Sequence, residues 1–247
     1  MRARVLEVIR PAPGYALIRA EPESPAPASA GQFAMLRAPG SFLGRPMSIL
    51  DSGRTIRFLV RAVGEGSRAL ALLDPGSVLE MIAPLGSPFP PPASGDVLVA
   101  GGVGAAPILF QARTGPGSTV IYGGRTASDL VLLEEMGRSS RLVLATEDGS
   151  AGTKGLATDP LAAMLDRGEA RRVLACGPLA MMAAAARLAR EASIPCLVCL
   201  EALMACGFGA CLGCAVPAAA GGFLHACTDG PVVPADRVDW DRLPDTT

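Results

Sequence analysis

Short apolar runs separated by turn residues fill roughly the first 90 residues of the chain. These runs alternate with turn signals, and we predict strands in ARVLEVI, YALIRA, QFAMLRA, TIRFLVRAV and SVLEMIAPL. Glycines lie between the runs at Gly14, Gly31, Gly53 and Gly76. Several short strands at this spacing indicate an antiparallel β-barrel or sandwich. One short helix is expected over residues 67–73.

The pattern changes after the proline-rich segment SPFPPPASG at residues 87–95, which is typical of a domain linker. Beyond it, the strands DVLVAGG, TVIYGG, RLVLAT and RRVLACG alternate with helical stretches near residues 105–113, 128–136, 160–166 and 178–190. This alternation predicts a parallel sheet that is covered by helices on both faces. CLVCL, at residues 196–200, is expected to be the last buried strand.

Charge and composition narrow the possible partners and compartments. The formal net charge is −1, with 22 basic and 23 acidic residues interspersed, so no concentrated basic face is expected for nucleic acid. Gly, Pro or charged residues interrupt every apolar stretch before it reaches the length of a membrane span. The opening MRARVLEVIR does not have the form of a signal peptide, and we expect a cytoplasmic protein with reduced thiols.

Four of the seven cysteines give the strongest chemical signal. Cys206, Cys211, Cys214 and Cys227 follow the spacing C-x4-C-x2-C-x12-C, which is the plant-type ferredoxin pattern for a [2Fe–2S] cluster. Three glycines, at positions 207, 209 and 213, allow a tight loop whose amide groups point at the sulfurs. Because such a cluster carries one electron at a time, the sequence predicts an electron-transfer protein.

Other readings of these cysteines remain open at this stage. Four thiolates also suit a structural zinc ion, although the x4 step fits zinc less well. Disulfides are disfavoured by the odd number of cysteines, and a Rieske centre needs two histidines where the chain has only His225. We expect His225 to be a surface or packing residue that could also tune the cluster. Cys196 and Cys199 are interpreted as core thiols.

Four glycine- or proline-marked strings carry further chemistry. GRPMSI at residues 44–49 offers a guanidinium and a hydroxyl at the start of a strand, and AVGEGS at residues 62–67 precedes a helix as pyrophosphate sites do. AGGVGAAP, at residues 100–107, follows the first strand of the α/β part, where nucleotides bind. ACGP ends a later strand, and Cys176 within it either faces the crevice at the strand tips or is a buried thiol.

Taken in this order, the strings RPMS, VGEGS, GGVGAAP, YGGR, TEDGSAGTKG, CGPLAMM and CGFGACLGC make the chain resemble the ferredoxin-reductase-like flavoproteins. Within them it looks like the electron-transfer subunits of class 1B dihydroorotate dehydrogenase. The resemblance implies an N-terminal antiparallel β-barrel for FAD over residues 1–93 and a parallel-sheet α/β domain for NAD over residues 94–202. It also implies a small [2Fe–2S] lobe over residues 203–247.

The resemblance also assigns residues to the cofactors, and none to catalysis. The flavin end of FAD is assigned Arg45, Pro46, Met47 and Ser48. The FAD site also includes Leu59, Val60 and Arg61, while its phosphates are assigned Gly64, Gly66 and Ser67. The nicotinamide nucleotide is assigned Gly102, Gly104 and Cys176. The four cysteines of the C-terminal pattern are the expected metal ligands.

The implied activity is electron transfer in pyrimidine biosynthesis. A separate FMN-containing catalytic subunit would oxidise dihydroorotate to orotate, and electrons would pass through this chain's [2Fe–2S] cluster and FAD to NAD, in a heterotetramer. Two alternatives stay open. One is an NAD(P)H:ferredoxin-type reductase, hydrogenase or diaphorase subunit of the same architecture. The other is a non-catalytic zinc-binding module on a reductase fold.

Overall fold

The computed structural model describes residues 1–115 and 117–243 and opens with a closed antiparallel barrel. Its six strands are β1 (Arg2–Ile9), β2 (Tyr15–Pro22), β3 (Phe33–Arg37), β4 (Arg45–Ser52), β5 (Ile56–Arg61) and β6 (Val78–Leu85). Their order around the barrel is β1-β2-β5-β4-β3-β6, and helix α1 (Glu65–Ala71) connects β5 to β6. The expected N-terminal barrel is confirmed.

The burial of side chains differs from strand to strand. In β1, Ala3 and Val5 are buried, whereas Arg2 and Arg4 are exposed, so one face of this strand lines the core and the other meets water. Strands β2, β3 and β5 are buried along most of their length. Pairing of β1 with β6 closes the sheet and leaves it without an open edge.

The second part is a mainly parallel sheet with helices packed against it. Its strands are β7 (Asp96–Gly101), β8 (Thr119–Gly124), β9 (Arg141–Thr146), β10 (Thr153–Lys154), β11 (Arg172–Cys176) and β12 (Cys196–Cys199). Its helices are α2 (Ala105–Thr114), α3 (Leu133–Ser139), α4 (Thr158–Asp166) and α5 (Leu179–Glu191). The strand order β10-β9-β8-β7-β11-β12 reverses direction at β7, so the crevice between β7 and β11 is the topological switch point where such sheets bind ligands.

The C-terminal part joins this sheet in a way the sequence pattern did not predict. Strands β13 (Ala215–Pro217) and β14 (Phe223–His225) form a small hairpin, and β15 (Val232–Pro234) pairs antiparallel with β12. A three-residue strand is too short to recognise by periodicity, and it covers the edge that β12 would otherwise expose. The expected lobe thus shares a sheet with the α/β domain, and its last residues, 244–247, lie outside the described part.

The helices mostly agree with the predicted positions, with one correction. The helix expected at 128–136 is wrong over its first half: residues 127–129 form a 3-10 turn, and α3 begins only at Leu133. The Asp129 carboxylate accepts hydrogen bonds from the Arg125 and Thr126 amides, which stabilises a turn instead of a helix there. No helix in the described ranges is long and apolar enough to cross a bilayer.

The proline-rich segment at residues 87–95 is hydrogen-bonded to the barrel on one side and to the α/β part on the other. The Phe89 amide donates to the Ala30 carbonyl of the barrel at 2.7 Å. On the other side, the Gln111 side chain donates to the Pro90 carbonyl and the Arg172 guanidinium donates to the Pro91 carbonyl, both at 2.9 Å. The predicted linker therefore fixes the barrel relative to the α/β sheet.

An ion-pair network joins the same two parts on another side. The Arg57 guanidinium of the barrel donates to Asp51 at 2.6 Å and to Glu135 of α3 at 2.9 Å. Arg113 of α2 donates to Asp51 at 3.0 Å and also to Glu135. Burial alone would raise the pKa of Glu135, but hydrogen bonds and charges from Arg57 and Arg113 outweigh it and lower that pKa below its ordinary value.

This network predicts an acid-sensitive contribution to stability. We expect Glu135→Gln to lower the free energy of unfolding by about 1–2 kcal/mol at neutral pH, between the values for exposed and fully buried pairs. A carboxylate whose pKa is lower in the folded than in the unfolded state stabilises the fold at pH values above its unfolded pKa of about 4.3. This contribution is lost as the pH falls through the pKa of the folded state. The difference between wild type and variant, measured by denaturant unfolding, should therefore shrink below about pH 4.

The neighbouring substitution Glu134→Gln serves as the control, because Glu134 is exposed and pairs with Arg138 of its own helix. It should change the unfolding free energy by less than about 0.5 kcal/mol. Equal effects of the two substitutions would contradict a stabilising role for the network between the two parts.

Candidate cofactor site and cluster loop

The cluster loop, residues 204–214, turns tightly and lies directly on the barrel. Gly207 and Gly209 have φ values of +83° and +88°, which side chains other than glycine rarely adopt. A Cβ at Gly207 would lie 2.5 Å from Cγ of Met35 in β3, so only glycine permits this approach. The predicted need for these two glycines has a direct physical cause in the loop's geometry.

The four predicted ligand cysteines form two neighbouring pairs. The Sγ atoms of Cys214 and Cys227 are 3.2 Å apart, and Cys206 and Cys211 lie on the same loop, where the Cys211 thiol helps to lower the pKa of Cys206. The Gly209 amide donates to the Cys227 sulfur, which ties the loop to the end of the later hairpin. Two thiols for each of two irons is the arrangement that a [2Fe–2S] cluster requires, so the donor set fits this group.

The thiols of the two pairs lie in different environments. Backbone amides, first that of Phe208 and then that of Cys211, donate to the Cys206 sulfur and lower its pKa to about 6. Burial, followed by the contact with Cys214, raises the pKa of Cys227 to about 11. Amide groups that point at sulfur are the donors that stabilise a metal-bound thiolate. The His225 amide donates to the Asp229 carboxylate at 2.6 Å, which stabilises the turn that contains Cys227.

The RPMS string begins β4 and pairs with the strand that supports the cluster loop. Met35 is the cross-strand partner of Pro46, and Ala34 is the partner of Met47. The Met35 side chain also reaches back toward Gly44, where a Cβ would lie 3.3 Å from its Cε. The side chain of Met35 therefore fills the space between the cluster loop and the start of the predicted flavin strand.

The two predicted FAD motifs meet through Arg45. Its guanidinium lies against Gly66 in the first turn of α1, where a Cβ would be 2.5 Å from Nε of Arg45. The Ser67 hydroxyl, in contrast, is already engaged: it accepts from the Val63 and Gly64 amides at 3.0 Å and donates to the Gly64 carbonyl. Ser67 thus fixes the turn, and the first amides of the helix, which have no partner within it, are the donors left for a phosphate.

The remaining FAD residues lie on β5. Leu59 and Val60 are buried in the barrel core, so only their backbone could meet a ligand. Arg61 lies over the Tyr15 ring, with its guanidinium carbon 5.7 Å from the ring centroid. The Tyr15 hydroxyl is buried without a hydrogen-bond partner among the described residues. An orphaned donor beside an arginine fits the polar part of a bound nucleotide, and no pattern in the sequence could have identified Tyr15.

The predicted nicotinamide residues meet at the switch point of the sheet. Gly104 follows β7, and a Cβ there would overlap the carbonyl of Cys176 at the end of β11, so the two loops are in contact. Gly102 has a φ of +55°. The Cys176 thiol is buried and donates to the Cys199 carbonyl at 3.6 Å, so it does not face the crevice. A role of Cys176 in nucleotide binding stays a prediction, and it would be made through the backbone.

Several exposed apolar side chains surround the cluster loop. Phe42 and Leu203 are each 90% exposed, and Phe208 is 55% exposed. Between the barrel wall and the loop lies an open crevice of about 720 Å³. Its lining includes Phe42, Leu43, Ile82, Cys206 and Phe208. We call the surface formed by Phe42, Leu43, Ile82, Leu203 and Phe208 the cluster face.

The chain is similar to a known protein family and to known proteins over most of its length. A family model described as the iron-sulfur cluster binding domain of dihydroorotate dehydrogenase B matches residues 201–239, which include all four paired cysteines. The dihydroorotate dehydrogenase B (NAD⁺) electron transfer subunit of Caldanaerobacter subterraneus is 38% identical over 84% of this chain and 86% of its own length. The subunit of the same name from Desulforamulus reducens is 34% identical over 97% of this chain and 98% of its own length.

Solved structures agree with the architecture. The NADH-dependent reduced ferredoxin-NADP oxidoreductase structure superposes with a TM-score of 0.88 at 30% identity, covering 98% of this chain and 91% of that one. A ferredoxin reductase of carbazole 1,9a-dioxygenase superposes with a TM-score of 0.69 at 22% identity over 79% of this chain and 66% of its own, which shows the fold alone. The expected ferredoxin-reductase-like fold is confirmed.

The cysteine pairs predict which thiols hold iron. Cys211→Ser should lower iron and acid-labile sulfide to background while FAD content stays unchanged, because the thiolate is lost but the barrel is untouched. Cys196→Ser is the matched control, since Cys196 lies on β12 and its pKa of about 12 reflects burial away from the loop. Iron and sulfide assays on anaerobically reconstituted protein provide the measurement. Full iron occupancy in the Cys211 variant would exclude it as a ligand.

The contact between Arg45 and Gly66 predicts a role in flavin retention. Arg45→Ala should weaken FAD binding about 10- to 100-fold, the cost of losing one charge-assisted hydrogen-bond donor. Arg45→Lys should bind FAD more tightly than Arg45→Ala but more weakly than wild type, because lysine keeps the charge but loses the planar fork. Arg54→Ala, an exposed barrel arginine paired with Glu21, is the control. Flavin content after gel filtration is the readout, and unchanged content in Arg45→Ala would contradict the assignment.

Proposed function

The chain belongs to the dihydroorotate dehydrogenase B (NAD⁺) electron-transfer subunit family, and we propose that it passes electrons from a dihydroorotate-oxidising catalytic subunit to NAD⁺. It is an oxidoreductase subunit that carries FAD and a [2Fe–2S] cluster. The observation that carries this function is the contact of the cluster loop with β3, beside the strand that begins with RPMS. One side chain, Met35, separates these two segments.

The cofactors and the chain divide the work between them. FAD, when bound, takes up electrons singly and releases them as a pair to NAD⁺, which a one-electron cluster cannot do alone. The chain positions the groups. Arg45, Pro46, Met47 and Ser48 hold the flavin end, while the α1 turn with Gly64, Gly66 and Ser67 holds the phosphates. Gly102, Gly104 and the Cys176 backbone bind the nicotinamide nucleotide at the switch point.

The four cysteines hold iron and not zinc in this proposal. Their two-pair arrangement supports it, and so does the description of the matching family model, which names an iron-sulfur cluster. The base that deprotonates dihydroorotate belongs to the catalytic subunit, which carries FMN. Dihydroorotate therefore never needs to reach this chain, and only electrons pass between the subunits.

The cluster face is the surface that we assign to the catalytic subunit. Electrons must enter near Cys206 and Cys211, and Cys211 is the exposed ligand of the set. Exposed Phe42, Leu203 and Phe208 beside them have the aromatic and aliphatic character of interface cores. Two copies of each subunit would complete the assembly. We place the assembly in the cytoplasm, where all seven thiols, which are free here, stay reduced.

The proposed function is tested by reconstitution with the FMN-bearing subunit encoded in the same genome. Both chains together should form NADH and orotate from dihydroorotate and NAD⁺, whereas either chain alone should not. Phe42→Asp should lower this coupled rate at least 10-fold by charging the cluster face, while NADH oxidation by a flavin-reactive dye is unchanged. Leu156→Asp, an exposed leucine of the α/β domain, is the control.

A second candidate is favoured by the superposition on the NADH-dependent reduced ferredoxin-NADP oxidoreductase structure. In that case the chain would exchange electrons with ferredoxin and would not couple to dihydroorotate with any partner. Ferredoxin-dependent NAD(P)⁺ reduction without orotate formation would support this candidate. Orotate formation coupled to NADH supports the first.

A further inference from the structure

Tyr122 is a buried tyrosine whose hydroxyl bonds to the turn that we assign to the nicotinamide nucleotide. It lies near the end of β8, beside Ala100 of β7, and its side chain is fully buried. Burial raises its pKa well above the ordinary value, so the hydroxyl stays protonated and available as a donor. The proposed function assigns no role to this hydroxyl.

The hydroxyl joins three backbone groups from two different loops. Its proton is shared between the Gly102 and Asp129 carbonyls, each 3.2 Å away, and its oxygen accepts from the Val131 amide at 3.3 Å. Gly102 begins the turn after β7, whereas Asp129 and Val131 belong to the segment after β8. The hydroxyl therefore fixes the position of one loop relative to the other.

The turn after β7 is held from within and open on one side. The Ala105 amide at the start of α2 also donates to the Gly102 carbonyl. The turn packs against the end of β11, because a Cβ at Gly104 would overlap the Cys176 carbonyl. A Cβ at Gly102, in contrast, would meet no atom of the described residues within 4 Å apart from its chain neighbours. This side of the turn is therefore open to a ligand.

The segment after β8 is fixed by its own hydrogen bonds. The Asp129 carboxylate accepts from the Arg125 and Thr126 amides at 3.2 Å, so the backbone there is held in a turn. In parallel sheets that bind dinucleotides, phosphates bind at the turn after the first strand, and a ribose binds at the end of the next strand. A dinucleotide that lies across this edge would contact both of the loops that Tyr122 joins.

We propose that Tyr122 is a positioning residue for the nicotinamide nucleotide, which holds the turn after β7 and the segment after β8 at the spacing that the dinucleotide spans. This inference rests on the proposed function. Without the hydroxyl, the Gly102 carbonyl loses a donor and the amide of buried Val131 loses its acceptor. The turn then has to be ordered when the nucleotide binds, and the apparent dissociation constant rises by the reciprocal of the fraction that is already ordered.

The experiment measures NADH oxidation by the FAD- and cluster-loaded protein with a flavin-reactive dye. Tyr122→Phe should raise the KM for NADH about 10-fold, the effect of one lost buried hydrogen bond, and should change kcat less than about 2-fold. The inhibition constant of ADP-ribose, which lacks the nicotinamide ring, should rise by the same factor as the KM. A merely structural role would lower the active fraction, and with it kcat, and would leave the KM unchanged.

Ser52→Ala is the matched control, because the Ser52 hydroxyl also bonds to two backbone groups, the amide and the carbonyl of Ala28 in the barrel. Both KM and kcat of this variant should match wild type. Melting temperature, flavin and iron contents are measured for each protein. An unchanged KM in folded, flavin-loaded Tyr122→Phe would overturn the proposal, and so would an equal rise of the KM in Ser52→Ala.

A second readout needs neither turnover nor a folded Tyr122 variant. Tyr15 and Tyr122 are the two tyrosines of the chain, so protein made with 3-fluorotyrosine gives two fluorine resonances. Tyr15→Phe leaves one of them and assigns it to Tyr122. ADP-ribose should shift this resonance, and no shift at saturating ADP-ribose would contradict the proposal. Flavin-loaded wild type that neither binds ADP-ribose nor oxidises NADH would instead count against the proposed function.

Discussion

The close contact between the cluster loop and strand β3 is the constraint on which the rest of this structure depends. Gly207 has no side chain, so the loop can rest on Met35, and Met35 in turn reaches Gly44 at the entrance to β4. The cluster loop and the start of β4, which are far apart in the sequence, are thereby separated only by the thioether side chain of Met35. Any side chain at position 207 would push the loop off the barrel and lengthen the path that an electron must cross.

That short separation is useful only if the three parts of the chain keep their relative positions. The proline-rich segment bonds to both the barrel and the α/β sheet, and the ion-pair network around Arg57 and Glu135 joins the same parts elsewhere. Strand β15 adds the third connection, because it ties the chain beyond Cys227 to the edge of β12. The elements that bound the cofactor crevices are therefore held together by several independent contacts and are not joined by a flexible hinge.

Local patterns in the sequence predicted the features that depend on local chemistry. Cysteine spacing predicts the ligand set, short apolar runs between turn residues predicted the barrel strands, and glycines marked loops where φ is positive or space is absent. Features that depend on distant partners were missed. The pairing of β15 and the orphaned Tyr15 hydroxyl could not be predicted from neighbouring residues. Ser67 is a local case: the Val63 and Gly64 amides of its own turn donate to its hydroxyl, and its assignment to phosphate stays a prediction. The late start of α3 reflects the Asp129 side chain, which competes with the helix for backbone amides.

The four thiols of the predicted ligand set lie in unequal environments. Cys206 and Cys211 form an outer pair beside the cluster face, whereas Cys214 and Cys227 are buried and share a hydrophobic core with Phe33 and Met35. In the proposed assembly, the outer pair would lie nearer to a partner docked on the cluster face, and the inner pair would lie deeper in the chain. Because the Gly209 amide donates to Cys227 across the loop, the same backbone turn that shapes the outer pair also orients the inner one.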